Sequence, residues 1–331
     1  MSDKTGITWT DATWNPITGC DKVSAGCKHC YALRDWPRLS SNPKTVYFGR
    51  AFTDVAVHPE RLDQPLRWSR PRMIFVNSMS DLFHKDVPTA FIDKVLGVAW
   101  LCALLGKGHV FQVLTKRADR MRDYFNDGTK DYAFDWSNAA VEVAQGLKWN
   151  VHGELVYDFI KQHDGRNPAL WLGVSVENQE AADLRVPNLL ATPAAVRWIS
   201  AEPLLGPVSF RWAMWAPVRN AGHLDGLKGI DWMVVGGESG SKARPMKEAW
   251  ALALRDQCAE AGVCFFFKQW GEWQPAHMGH TGGRIGAWVG DAFRDNWGDT
   301  ETAANNMVRA GSNALGWNLL AGVEHAEFPA R

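Results

Sequence analysis

Met73-Ile-Phe-Val76 runs straight into Asn77-Ser78-Met79-Ser80-Asp81, and this switch from an apolar run to a polar tip recurs along the chain. His109-Val-Phe-Gln-Val-Leu114 meets Thr115-Lys116-Arg117, and Leu170-Trp-Leu-Gly-Val174 meets Ser175-Val176-Glu177-Asn178. Val196-Arg-Trp-Ile199 meets Ser200-Ala201-Glu202-Pro203, Trp232-Met-Val-Val235 meets Gly236-Gly237-Glu238-Ser239, and Val263-Cys-Phe-Phe-Phe267 meets Lys268-Gln269-Trp270. Short apolar runs without alternation suit strands buried on both faces, as in a parallel sheet. Segments with helical apolar spacing lie between them: residues 89–105 stop at Gly106-Lys107-Gly108, and residues 247–261 stop at Gly262. Strand, polar tip and helix in repetition predict an α/β fold, a partial or complete (β/α) barrel of mainly parallel strands. In such a barrel the tips at the carboxyl ends of the strands share one mouth.

The rhythm sets the expected organisation. Residues 1–270 form the barrel, with Ile7-Thr-Trp-Thr10 as its first strand. Residues 124–167, polar and holding Asp127-Gly128, His152-Gly153 and Asp164-Gly165, read as an insertion. Residues 271–331, rich in Gly, Asn and Trp, read as a small carboxyl-terminal module.

Composition narrows the function classes. Lys plus Arg equals Asp plus Glu at 36 each, so no global basic field recruits nucleic acid, although a local groove is open to it. Met1 to Thr10 lacks the apolar core of a signal peptide. The longest apolar stretch, residues 95–106, falls well short of the roughly 20 residues that span a bilayer. These features predict a cytoplasmic protein without a membrane partner.

Three of the six cysteines fall within eleven residues as Cys20-x6-Cys27-x2-Cys30, while Cys102, Cys258 and Cys264 are scattered. In a reducing compartment clustered cysteines bind metal or do redox work. The two-residue gap lets Cys27 and Cys30 reach one centre, the longer gap can loop Cys20 back, and Gly19 and Gly26 permit the turns. Structural zinc sites close with four ligands, whereas three thiolates on an iron–sulfur cluster leave one iron free for a small molecule. His29, between two of the cysteines, is an awkward fourth ligand.

The run Ile7-Thr-Trp-Thr-Asp-Ala-Thr-Trp-Asn-Pro16, with Gly19-Cys20, Gly26-Cys27 and Cys30-Tyr31-Ala32, resembles a phage-associated protein family. So do Ser78-Met79-Ser80-Asp81-Leu82-Phe83, Leu114-Thr115-Lys116-Arg117, Gly173-Val-Ser-Val-Glu-Asn178, Glu202-Pro203-Leu204-Leu205, Gly236-Gly237-Glu238-Ser239-Gly240 and Phe267-Lys268-Gln269-Trp270-Gly271. That family looks like a divergent branch of the radical S-adenosylmethionine (SAM) enzymes. The resemblance implies a [4Fe-4S] cluster on Cys20, Cys27 and Cys30 whose free iron chelates SAM. One-electron reduction, from a donor such as a flavodoxin or ferredoxin, would release a 5′-deoxyadenosyl radical that takes a hydrogen atom from a substrate. The chain differs from that superfamily in its cysteine spacing, six then two where three then two is usual, and carries Ser312 where relatives tend to carry Lys.

The resemblance also distributes the strand tips. Ser78, Ser80 and Asp81 stand where the methionine amino group is met, and Ser175, Glu177 and Asn178 where the ribose hydroxyls and carboxylate are met. Glu202 and the glycines Gly236 and Gly237 complete the expected cofactor set, the glycines by letting backbone approach adenine. Lys116, Arg117, Glu238, Lys268 and Trp270 are left to face a substrate, and cations with an indole suit a nucleotide or another small planar anion. Cys264 could donate a hydrogen atom from within its strand, and His84 has no evident partner. Two other readings use the same cysteines: a zinc-dependent hydrolase or deaminase, and a non-catalytic nucleic-acid-binding protein stapled by metal. No His-x-Glu element precedes Cys27, as a zinc deaminase requires.

Overall fold

The structure, a computed structural model, describes residues 5–211, 226–276, 285–289, 291–295, 306–309 and 318–330. Ser312 and the four amino-terminal residues lie outside the described residues. The fold is α/β. Seven strands form one open sheet: β1 (Ala12–Trp14), β2 (Met73–Val76), β3 (Val110–Thr115), β4 (Leu170–Ser175), β5 (Val196–Ala201), β6 (Trp232–Gly236) and β7 (Cys264–Gln269). Their order in the sheet is their order in the chain, as in a partial (β/α) barrel, and the registered pairs are parallel. β2, β4 and β6 are buried at every residue, which is why the sequence shows apolar runs rather than alternation there.

The first strand is not Ile7–Thr10. That segment turns, with Thr10 N–H on the Ile7 carbonyl at 3.4 Å, and the side chains of Thr10 and Asp11 bond the backbone of Met73. Polar side chains spent on the neighbouring strand's end delay the ladder until Ala12.

Two compact units divide the chain. The first comprises Met1–Val23, Asp35–Val174 and Asn188–Arg197. It holds β1 to β3, most of β4, and the helices α1 (Tyr31–Ser40, all but its first turn), α2 (Thr89–Leu104) and α3 (Ala118–Phe125). Within residues 124–167 lie two helices, α4 (Tyr132–Gly146) and α5 (Gly153–Gln162). Gly97 on α2 has no room for a Cβ against the Ala140 nitrogen and the Trp136 carbonyl, so α4 crosses α2 closely there. Trp100 stacks on Trp136 at 6.1 Å. Covered in this way, α2 is buried nearly all round beyond Lys94, as its apolar run from Val95 requires.

The second unit comprises Ser24–Arg34, Ser175–Pro187 and Trp198–Arg331. It contains β6, β7, most of the helix α6 (Gln179–Leu190) and the helix α7 (Glu248–Ala261). Its carboxyl-terminal part is antiparallel: Trp273–Pro275, Asn306–Arg309, Ile285–Val289 and Ala292–Asp295 make a four-stranded sheet in that spatial order. Leu319–Leu320 and Val323–Glu324 form a hairpin. The residues beyond it then pair with β7, Phe267 N–H to the His325 carbonyl at 2.9 Å and Glu327 N–H to the Phe265 carbonyl at 3.3 Å. They cover an edge that would otherwise expose free donors and acceptors. No helix among the described residues is long and apolar enough to cross a membrane.

Candidate functional site

In the first unit the strand tips are organised around Asn15, Asp81 and Cys20. Asn15, just past β1, accepts Ser78 Oγ at 3.1 Å and Met79 N–H at 3.0 Å, which fixes the tip of β2. Ser80 Oγ donates to the Ile17 carbonyl at 2.9 Å. Gly19 adopts a left-handed φ of +92°, and a Cβ there would overlap the Asp54 carbonyl. Cys20 follows with its N–H on the Phe52 carbonyl at 2.8 Å.

Asp81 is buried and receives four donors: Phe83 N–H at 3.0 Å, Thr115 Oγ1 at 2.7 Å, Lys116 N–H at 3.1 Å and Arg117 Nη1 at 3.0 Å. Asp81, expected at the SAM amino group, is therefore engaged by donors from the tips of β2 and β3, which any ligand amine would have to share. Arg117, expected to face a substrate, is ion-paired as well. Its guanidinium pairs with Asp81 and Asp21 and points Nη1 at Cys20 Sγ, 3.7 Å away. Burial works against the Arg117 charge, but Asp81 and Cys20 outweigh it and the pKa is raised. His84, without a partner in the sequence reading, has Nε2 3.1 Å from Asp21 Oδ1, off hydrogen-bonding angle. Burial, then Arg117, lowers its pKa.

In the second unit the cysteine-bearing segment Ser24–Arg34 is clamped by two carboxylates from strand tips. Glu177 is 1% exposed, pairs with Arg185 Nη1 at 2.8 Å and accepts Ser24 Oγ at 3.0 Å. A Cβ on Gly26 would overlap the Glu177 side chain, so glycine is needed where the Ala25–Cys27 turn crosses that carboxylate. Glu238 accepts His29 Nδ1 at 3.0 Å and Arg244 Nε at 2.8 Å, and Arg244 Nη2 goes on to the Ala25 carbonyl at 3.0 Å. Burial works to raise the Glu238 carboxyl, but the bonds from Arg244 and His29 hold it below its ordinary range. Glu177 and Glu238, expected at ribose and substrate, therefore hold the protein's own loop. Arg185, Arg244 and Ser24 escaped the sequence reading because nothing local links them to their partners.

The remaining expected residues are placed as follows. Ser175 is buried, and its carbonyl accepts Arg185 Nη1 at 2.8 Å. Asn178 Oδ1 accepts Ala181 N–H at 3.0 Å in the first turn of α6. Lys268 Nζ lies 2.6 Å from Glu202 Oε1, and Gly236 leaves room for that Glu202 carboxylate. A Cβ on Gly237 would overlap the Trp270 carbonyl, so a neighbouring backbone, rather than adenine, accounts for this glycine. Trp270 is 1% exposed, edge-on to Phe267, with Nε1 donating to the Leu319 carbonyl at 2.9 Å. Trp270, expected to face a substrate, is thus packed in the core. Cys264 opens β7, and burial with Glu327 and Asp231 raises its pKa.

None of the three clustered cysteines is in a disulfide and all are of intermediate burial, whereas Cys102 and Cys258 are in the core. Cys20 has the Arg117 guanidinium at its sulfur, and Ser24 Oγ lies 3.8 Å from Cys27 Sγ. Charged and polar partners at half-buried sulfurs suit thiolates that ligate a cluster. Among the described residues no three His, Cys, Asp or Glu side chains converge as ligands of one metal ion. A cluster asks less convergence than an ion, because each thiolate bonds a different iron.

A protein-family model described as "Protein of unknown function (DUF5131)" matches residues 4–329. The chain belongs to that family. Neither the curated proteins nor the solved structures contain a match. The match spans both compact units, so this family embraces the strand tips and the cysteine segment alike.

Proposed function

We propose that this DUF5131 chain is a radical SAM enzyme holding a [4Fe-4S] cluster on Cys20, Cys27 and Cys30. The observation that carries this reading is the set of three half-buried thiols, none in a disulfide, that follow β1 of a parallel sheet, with Arg117 of the β3 tip at Cys20 and Ser24 of the cysteine segment at Cys27. Cys20, Cys27 and Cys30 would hold the cluster. The chemistry it would supply when bound and reduced is one electron for cleavage of the C5′–S bond of SAM, giving methionine and an adenosyl radical that would take a hydrogen atom from a substrate. The chain's own part is to hold and shield the ligands: Arg117 lies against Cys20, and Glu177 and Glu238 tie down the segment that bears Cys27 and Cys30. Ser78, Ser80 and Asn178 already serve the backbone or other side chains. SAM would therefore meet them through shared bonds. A substrate such as a nucleotide or a single-stranded nucleic acid would meet Lys116 and would share Lys268 with Glu202, 2.6 Å from it. An oxygen-labile cluster and its flavodoxin- or ferredoxin-type electron donor suit the cytoplasm.

Anaerobic reconstitution tests the proposal. About four iron and four sulfide per chain are expected, together with slow formation of 5′-deoxyadenosine from SAM under reduction. Cys20→Ala, Cys27→Ala and Cys30→Ala each abolish the cluster, and Cys102→Ala does not. Stoichiometric zinc without sulfide overturns the cluster. A cluster whose EPR signal ignores SAM, with no cleavage product, overturns the radical chemistry alone.

A further inference from the structure

We propose that Arg117 tunes the reduction potential of the iron–sulfur centre through the Cys20 sulfur; this rests on the cluster reading above. Arg117 follows Leu114-Thr115-Lys116 at the end of β3, and its backbone N–H is held by Thr115 Oγ1 at 2.9 Å. The guanidinium then has little freedom. Nη1 is bound to Asp81 Oδ2 at 3.0 Å, and Asp81 is itself fixed by Phe83, Thr115 and Lys116. Nη2 is bound to the side chain of Asp21, the residue that follows Cys20. Two carboxylates on one fork aim it in a way that a lone surface arginine is not aimed. The remaining direction of Nη1 is Cys20 Sγ, at 3.7 Å, and the Arg117 side chain is only 12% exposed.

The consequence follows from charge. Reduction of a cluster adds an electron that is shared with its sulfur ligands, so a cationic N–H donor stabilises the reduced form more than the oxidised form. Little water reaches the guanidinium to screen the interaction. Arg117 therefore raises the midpoint potential, which makes the centre easier to reduce. A purely structural arginine, needed only to pin Asp81, leaves the potential unmoved, and so the potential separates the two roles.

The experiment is spectroelectrochemical titration of the anaerobically reconstituted full chain, without SAM or substrate, followed by EPR. Arg117→Gln is compared with the charge-matched neighbour Lys116→Gln. The expected result is a more negative midpoint for Arg117→Gln, a smaller shift for Arg117→Lys, and little change for Lys116→Gln. Equal potentials for wild type and Arg117→Gln, at equal iron and sulfide content, overturn the proposal while the cluster stands. Equal shifts in both Gln variants also overturn it, because they report net charge rather than the N–H···S contact. If Arg117→Gln fails to fold, Arg117→Lys is decisive: an unmoved potential and an unmoved Fe–S(Cys) Raman band overturn the role. Wild-type chain that takes up no iron and sulfide overturns the cluster reading and this inference together.

Discussion

His29 Nδ1 stands 3.0 Å from Glu238 Oε2, so one of the two residues between Cys27 and Cys30 is tied to the tip of β6. Glu238 also carries Arg244, whose far nitrogen holds the Ala25 carbonyl, and one buried carboxylate thus organises the cysteine segment at two points. Glu238→Ala leaves Arg244 and His29 without their acceptor. It is expected to destabilise the protein by about 2 kcal/mol, the range of a charge-assisted hydrogen bond between a buried carboxylate and partly exposed donors. Urea denaturation measures the loss. Hydrogen exchange should show it locally, as faster exchange over residues 24–34. Unchanged exchange in that segment sinks the clamp.

Gly26→Ala tests the other side of the clamp. The new Cβ meets the Glu177 side chain, which Arg185 prevents from swinging away. The Ala25–Cys27 turn must shift, and Cys27 shifts with it. Iron loading should fall several-fold while far-ultraviolet circular dichroism is unchanged. Wild-type loading shows that the close approach is dispensable.

Gly237→Ala drives a methyl group into the Trp270 carbonyl at the tips of β6 and β7. Both sides of that contact are backbone, so relief requires strand movement, and a loss of about 3 kcal/mol is expected. Gly128→Ala is the control. Its Cβ meets nothing within 4 Å, and the change should stay within about 0.5 kcal/mol. Thermal melts of the two variants decide the matter, and comparable melting points contradict the packing argument.

His109 links stability to pH. Its Nδ1 accepts Arg72 N–H at 3.1 Å and its Nε2 donates to the Pro65 carbonyl at 3.1 Å, so a second ring proton would face a donor. Burial, with a smaller effect from Lys107 and Arg72, lowers its pKa despite the Pro65 bond. A histidine lowered on folding contributes stability that is full above its unfolded pKa of about 6.5 and is lost as pH falls through the folded value. The urea midpoint should therefore drop from pH 7 towards pH 5. His109→Gln should drop less steeply over the same range, since burial also lowers His58 and His84 and those remain. Parallel curves for the two proteins exclude His109 as a source.

Burial pushes the Cys102 thiol up to about 12. At pH 8 its thiolate fraction is roughly one in ten thousand, and α2 is covered as well. Iodoacetamide followed by peptide mass analysis should label Cys20, Cys27 and Cys30 in the native apoprotein and leave Cys102 unlabelled until urea is added. Early labelling of Cys102 would show that α2 opens locally.

The parallel sheet was legible in the sequence because burial on both faces forces unbroken apolar runs, and β2, β4 and β6 lie where those runs lie. The one misplaced strand, β1, was misread because Thr10 and Asp11 spend their side chains on Met73, a partner 62 or more residues away. Periodicity carries no trace of such a bond. The spacing of the three cysteines is a local feature of the sequence, and so was visible there. What each charged tip does was decided by tertiary structure alone. Glu177 and Arg185, Glu238 and His29, Arg117 and Cys20 lie 8, 209 and 97 residues apart, and only the fold brings each pair together. A buried carboxylate must find a donor, and the nearest donors in space were the cysteine segment and its neighbours. Residue types at strand ends announced that charge was needed there. Which charge each one meets was left to the packing.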